Sequence, residues 1–242
     1  MMPELKRFTM ARVGLGRTGN SLSTRDLLDF QLAHARARDA VHRPFDARAL
    51  AGELEDAGLR SVIVSSAAHN RQEYLRRPDL GRTLDQPSRQ AMVQLSGPFD
   101  VVFIVADGLS PLAVQTQAAA LLRPVIDRLA SAEWSIAPIV IATQGRVALG
   151  DEIGSAIQAK LAVMLIGERP GLSSFDSMGA YLTWSPQTGR TDADRNCISN
   201  IRPEGLTIGG ACELLLLLMR EARERQLSGV ALKPDNVARI TK

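Results

Sequence analysis

From Asp100 onward the chain alternates β-branched runs with helical ones, and this alternation constrains the fold more than any other feature. "DVVFIVADGLS" reads as a strand ending in Asp-Gly. "PLAVQTQAAALLRPVIDRLA" has helical spacing, with Pro124 expected to kink the helix or split it in two. "IAPIVIATQGRVALGD" is a strand running into a turn, "EIGSAIQAK" a short helix, and "LAVMLIGERPG" another buried strand. Strands alternating with helices argue for parallel βαβ units and an α/β fold. Each strand ends in a polar loop that carries glycine: Asp107-Gly108, Gln144-Gly145-Arg146 and Gly167-Glu168-Arg169. In a doubly wound sheet such loops gather at one edge, where ligands bind. The Gly-Glu-Arg-Pro-Gly loop is therefore expected to line a crevice. Gly167 would let a ligand approach the backbone, and Pro170 would stiffen the turn. On spacing alone, a loop that merely connects two elements fits equally well.

Before Asp100 the texture is mostly helical. Residues 23–42 begin at a cap, Ser23 or Thr24. Leu27, Leu28, Gln31, Leu32, Ala35 and Asp39 then follow helical spacing, and Pro44 closes the segment. A second helix over 46–58 is capped by Asp46 and stopped by Gly58. "SVIVSS" (61–66) is a short strand. Residues 70–84 are polar and Arg-rich, broken by Pro78 and Gly81, and 86–95 form a further helix. Toward the end, "AYLTWSP" reads as a strand nearer a sheet edge, and 207–226 as a closing helix. The expected division is a helical N-terminal region over 1–98 and an α/β domain over 99–242.

Composition narrows the partners. Aromatic residues make up only 4% of the 242, too few for the stacking platforms of single-stranded nucleic-acid binders. The net charge is +3 with arginines dispersed, which reads as a solvated surface rather than a DNA-binding stripe. Cys197 and Cys212 form neither a disulfide framework nor a paired zinc motif. No apolar run is long enough for a membrane span, and "MMPELKRFTM" lacks the apolar core of a signal peptide. A cytoplasmic chain is expected.

The familiar catalytic and phosphate motifs are missing. There is no GxxxxGK[ST]. "GLGRTG" (14–19) matches GxGxxG, but no clear strand precedes it, so a hook or turn is the better reading. His34, His42 and His69 all lie in the first third, without the usual metal-ligand spacing. Ser173 and Ser174 lack a G-x-S-x-G elbow. The residues describe an α/β ligand-binding domain with no visible catalytic engine.

Several unusual strings occur in one order: "ARVGLGRTGNSLSTRDLLDFQLAHARARDAVH", "YLRRPDLGRTL", "ADGLS", "GRVALGDEIG", "LIGERPGLSSFDSMGAYLTWSP" and "DRNCISNIRPEGL". Together they resemble the small (light) subunit of ethanolamine ammonia-lyase, from about Arg12 to the closing helix. The resemblance implies a Rossmann-like parallel sheet flanked by helices, with a mostly helical N-terminal region that contacts the large subunit. It implies an adenosylcobalamin-dependent radical lyase that converts ethanolamine to acetaldehyde and ammonia. The substrate then sits in the TIM-barrel large subunit, and the two chains hold the corrin jointly. A missing engine is what half of a cofactor clamp would show, since the cofactor carries the hard chemistry.

The resemblance also implies cofactor-binding positions. The valine of the "GRV" turn is Val147, expected to touch the corrin rim. The glutamate of "GERPG" is Glu168, expected to accept hydrogen bonds from the corrin's neutral amides. The cysteine of "CISN" is Cys197, expected as a packing contact and not a reactive thiolate. The plain alternatives are a Glu168 that pairs with an arginine and a Cys197 that is a small buried hydrophobe. No D-x-H-x-x-G string occurs, in agreement with base-on binding and no cobalt ligand from this chain. The family's assembly holds six copies of each subunit, a closed symmetric form. Enteric members carry an N-terminal extension that targets a bacterial microcompartment. Here the shared region begins near Met1, so cytoplasm is expected first and the microcompartment second. A self-sufficient nucleotide-binding enzyme using the GLGRTG turn, or a structural scaffold, are the other readings.

Overall fold

The computed structural model describes residues 11–233, so the opening segment where no leader is expected lies outside the described residues. A small antiparallel hairpin comes first, β1 (Arg17–Thr18) and β2 (Ser21–Leu22). It is built from the GLGRTG stretch, with Gly14 and Gly19 at positive φ. That is the hook expected above, and it rules out the strand-turn-helix setting a dinucleotide fingerprint needs.

Four helices and a strand follow: α1 (Thr24–His42), α2 (Ala47–Asp56), β3 (Ser61–Ser65), α3 (Arg71–Arg76) and α4 (Gln86–Gln94). Their starts are local chemistry. Ser23 Oγ accepts from Asp26 N–H, Asp46 from Ala49 N–H, Asn70 from Glu73 N–H and Asp85 from Ser88 N–H, each quieting an orphan donor. The remainder alternates: β4 (Val101–Ala106), α5 (Pro111–Ser131), β5 (Ile139–Thr143), α6 (Leu149–Ile157), β6 (Leu161–Gly167), β7 (Met178–Trp184), β8 (Arg195–Ile201) and α7 (Ile208–Arg225).

One six-stranded sheet runs in the order β3-β5-β4-β6-β7-β8. The first four are parallel; β7 runs antiparallel to β6, and β8, antiparallel to β7, runs again in the direction of the first four. The sheet therefore takes one edge strand, β3, from the segment before Asp100. Every residue of β4 is buried, because helices cover both faces. Val101, Phe103 and Val105 meet α2, α5 and α7 on one side. Val102, Ile104 and Ala106 meet α4 and α6 on the other. Pleating alone sends alternate side chains to the two cores.

Some local expectations change. Pro124 does not split α5, which runs unbroken from Pro111 to Ser131. Ala120, whose carbonyl loses its partner to the proline, is exposed to water, while Leu121, Leu122, Val125 and Leu129 are buried and hold the helix down. "AYLTWSP" falls in β7, next to the edge strand β8, and so lies nearer an edge than β4 or β6, as expected. The apolar stripe of α1 does not face the core. Its buried residues are Ala33 and Ala40, while Leu27, Leu28, Phe30 and Leu32 are exposed. No helix among the described residues is long and apolar enough to cross a membrane.

Candidate functional site at the carboxyl edge of the sheet

The glycine-bearing loops after β4, β5 and β6 do meet. They enclose a cleft of about 380 Å³ lined by Gly108, Leu109, Arg146, Val147, Ile166, Gly167, Glu168 and Arg169, with Tyr74, Tyr181 and Ser199 closing its sides. Exposed Arg169 and Ser199 leave one side open to solvent. Val147 and Glu168 thus share one cavity. Cys197 lies outside the lining. It sits on β8 opposite Tyr181 of β7, which does line the cleft. Burial, followed by the negative charges of Glu168 and Asp192, pushes the Cys197 thiol up, although Tyr181 offsets part of this. An exposed but neutral thiol suits a contact role and not a nucleophile.

Gly167 has a different reason from the one expected. A Cβ there would stand 2.1 Å from the Ser110 carbonyl oxygen and 2.6 Å from that of Asp107. The matching Gly108 has φ 55°, and its Cβ would meet Gly167 O at 2.2 Å. The two loops pack backbone against backbone, with Leu109 N–H donating to Gly167 O at 2.9 Å. The close approach that needs glycine is made by the neighbouring loop.

Among the described residues Glu168 forms no ion pair with an arginine. Its carboxylate accepts from Ser177 Oγ at 2.5 Å, Ser199 Oγ at 2.6 Å and Asn200 N–H at 3.2 Å. Strand β7 passes so close that a Cβ on Gly179 would sit 2.9 Å from Glu168 Oε1. The carboxylate is thereby fixed in place before any ligand arrives. The segment after it is pinned as well. Ser110 Oγ donates to Phe175 O, Gln117 to Asp176 O, and buried Arg202 to Ser173 O.

The opposite end of the cleft is basic and was not foreseen. The Tyr74 ring carries the Arg146 guanidinium at 4.2 Å and that of Arg71 at 4.8 Å. Beneath them lies Asp107, only 1% exposed. It accepts from Arg71 Nη1 at 3.2 Å and from Gly145 N–H at 3.0 Å. Tyr74 Oη donates to Gly145 O at 3.0 Å, so both polar groups of that glycine are held. Arg71 also donates to Gly108 O and to Val41 O at the end of α1. Burial raises the Asp107 carboxyl to about 6, outweighing the attraction of Arg71 and the backbone N–H groups. Burial likewise raises the Tyr74 phenol and lowers the Arg71 guanidinium. Asp107-Gly108 and Gln144-Gly145-Arg146 stand out in the sequence as strand-end loops. Arg71 and Tyr74 lie in the polar, interrupted stretch, which carries no comparable signal.

Comparison with known proteins adds a family. Residues 1–233 match the model of the family described as Ethanolamine ammonia-lyase light chain (EutC). A protein named ethanolamine ammonia-lyase small subunit, from Pseudomonas fluorescens strain Pf0-1, is 55% identical over 236 residues, covering 96% of this chain and 86% of the relative. One of the same name from Pseudomonas aeruginosa strain LESB58 is 54% identical over 235 residues, with the same shares covered. Another, from Ralstonia nicotianae strain ATCC BAA-1114 / GMI1000, is 54% identical over 233 residues, covering 95% of this chain and 86% of the relative.

Proposed function

The chain belongs to the ethanolamine ammonia-lyase light-chain family and is the small subunit of that lyase, and from this premise we propose that its cleft is one wall of a shared adenosylcobalamin site. The large subunit supplies the other wall and the substrate pocket. The observation that carries this reading is the meeting of Val147 and Glu168, brought from separate turns, in a single open cleft at the sheet edge. A corrinoid is several-fold larger than the roughly 300–1,000 Å³ a drug-sized ligand fills. A cleft of about 380 Å³ therefore suits part of the cofactor, with the rest covered by a partner.

The donor set fits the corrin's chemistry. Leu109, Val147 and Ile166 offer an apolar patch to the macrocycle edge. Glu168, preset by Ser177, Ser199 and the Asn200 amide, accepts from the corrin's neutral amides without reorganising. Cys197, behind Tyr181, adds a packing contact. None of the three histidines lines the cleft, which supports base-on binding. When bound, the cofactor supplies the radical chemistry that cleaves the carbon–nitrogen bond of ethanolamine, leaving acetaldehyde and ammonia. The task of this chain is to hold and orient it. The exposed apolar side of α1, in the N-terminal region, is where the large subunit docks, in an assembly of six copies of each subunit as closed symmetry allows.

Cobalamin titration of the reconstituted complex tests this, with subunit association followed separately. Glu168→Gln keeps the shape and loses the charge, so cofactor affinity should fall roughly 5- to 30-fold. Substrate KM should hardly move. Wild-type cofactor affinity in Glu168→Gln and Glu168→Ala would make the loop a mere connector. Turnover of ethanolamine by the isolated chain would remove the need for a partner.

A further inference from the structure

We propose that the basic end of the cleft, around Arg146, is a subsite for a phosphate group, filled in the complex by the phosphodiester of the cofactor's nucleotide tail. The identity of the occupant rests on the cofactor reading above; the anion subsite itself rests on the charge balance of this chain.

Two guanidinium groups, Arg71 and Arg146, share the Tyr74 ring. The acid among them, Asp107, is already committed to Arg71 and to the Gly145 amide. Glu168, which also lines the cleft, is held by two hydroxyls and a backbone amide. Among the described residues neither Arg146 nor Arg169, both of which line the cleft, forms a salt bridge. Arg146 spends Nη2 on Tyr74 O at 3.3 Å, while its Nε is buried without a partner. The Nη2 of Arg71 is buried and unpartnered too. A cation left without an ion-pair partner is costly, and the Arg146 and Arg169 side chains that line the cleft are the ones an anion there can reach. Stacking on Tyr74 and the fit against Gly81, where a Cβ would stand 2.8 Å from Arg146 Cγ, fix the direction of the guanidinium. A fixed planar fork favours a phosphate oxygen pair over a carboxamide. The cleft is thus polarised: Glu168 faces amide donors, and Arg146 with Arg169 faces an anion.

The experiment uses the complex of this chain with its large subunit and three probes: cyanocobalamin, dicyanocobinamide, which lacks the nucleotide tail, and inorganic phosphate at constant ionic strength. Arg146→Gln should weaken cyanocobalamin roughly 10- to 100-fold and cobinamide by less than about 2-fold. Arg146→Lys, which keeps charge but not the fork, should fall between. Equal losses for both corrinoids would overturn the proposal, since Arg146 would then only shape the cleft. If the variants do not fold, the wild-type complex still decides. Phosphate must weaken cyanocobalamin and leave cobinamide unaffected, and failure to do so rejects the subsite. Saturable phosphate binding that needs Arg146, in a complex that binds neither corrinoid, would keep the anion subsite and sink the cofactor reading.

Discussion

Strand β4 and helix α1 are both rich in large apolar residues, yet their surroundings are opposite. All six residues of β4 are buried between two layers of helices. In the nineteen-residue α1 only Ala33 and Ala40 are buried, and Leu28 is 58% exposed. A strand at the centre of a parallel sheet finds its partners within its own chain. A helix that seats itself on alanines keeps its leucines for another surface. The cleft lies between these regimes. Its walls stand on the buried strands, while Arg71 ties it to the last turn of α1 through Val41 O.

If that contrast is right, substitutions should separate cleanly. Phe103→Ala in β4 opens a fully enclosed site and should cost about 3–5 kcal/mol. Chemical denaturation of the isolated chain would read this. A loss below about 1 kcal/mol would mean that the core is looser than drawn.

Asp107 sharpens the comparison at the seam. Its folded-state value of about 6 lies above the ordinary 3.8. The stability linked to its protonation is complete below 3.8 and is lost as pH rises through about 6. The difference corresponds to about 3 kcal/mol. Stability curves of wild type and Asp107→Asn, taken from pH 4 to 8, should therefore diverge with pH in that window. Parallel curves would show that Asp107 titrates normally.

Gly167→Ala should cost about 1–3 kcal/mol without any ligand, because the new methyl meets the Ser110 carbonyl. Unchanged stability with weakened cofactor binding would restore ligand approach as the reason for that glycine. The smallest effect on the chain itself should come from Leu28→Ala, at less than about 0.5 kcal/mol. Its association with the large subunit should nevertheless weaken roughly 5-fold, as burial of half a leucine implies. A loss of chain stability with unchanged association would place α1 in this chain's own core.

Much of the architecture was legible because it is written between near neighbours. Short apolar, β-branched runs marked β3 to β7, and Ser23, Asp46 and Gly58 punctuated the first two helices. The unforeseen strand, β8, has a mechanical cause. A register irregularity between Met178 and Ala180 puts Ile198 and Ile201, three residues apart, on one buried face, so no alternation appears in "RNCISNI". Arg195 is buried because it reaches Asp151 at the start of α6, which nothing in its own neighbourhood announces.

For the site, the sequence by itself determined that three glycine-bearing loops leave parallel strands at one edge, and hence that Val147 and Glu168 come together there. It also determined the family, since whole strings of residues are shared in order. Only the tertiary structure decided that Cys197 stands behind Tyr181, that Gly167 answers to a backbone and that α1 keeps its leucines outside. Only the structure, too, brought Arg71 and Tyr74 beneath the cleft. Arg71 meets Asp107 across 36 residues and Tyr74 meets Gly145 across 71. Hydrogen-bonding periodicity and capping act within a few residues and can be read along the chain. The balance of charge inside a cleft depends on which distant side chains the packing buries together, and no local pattern records it.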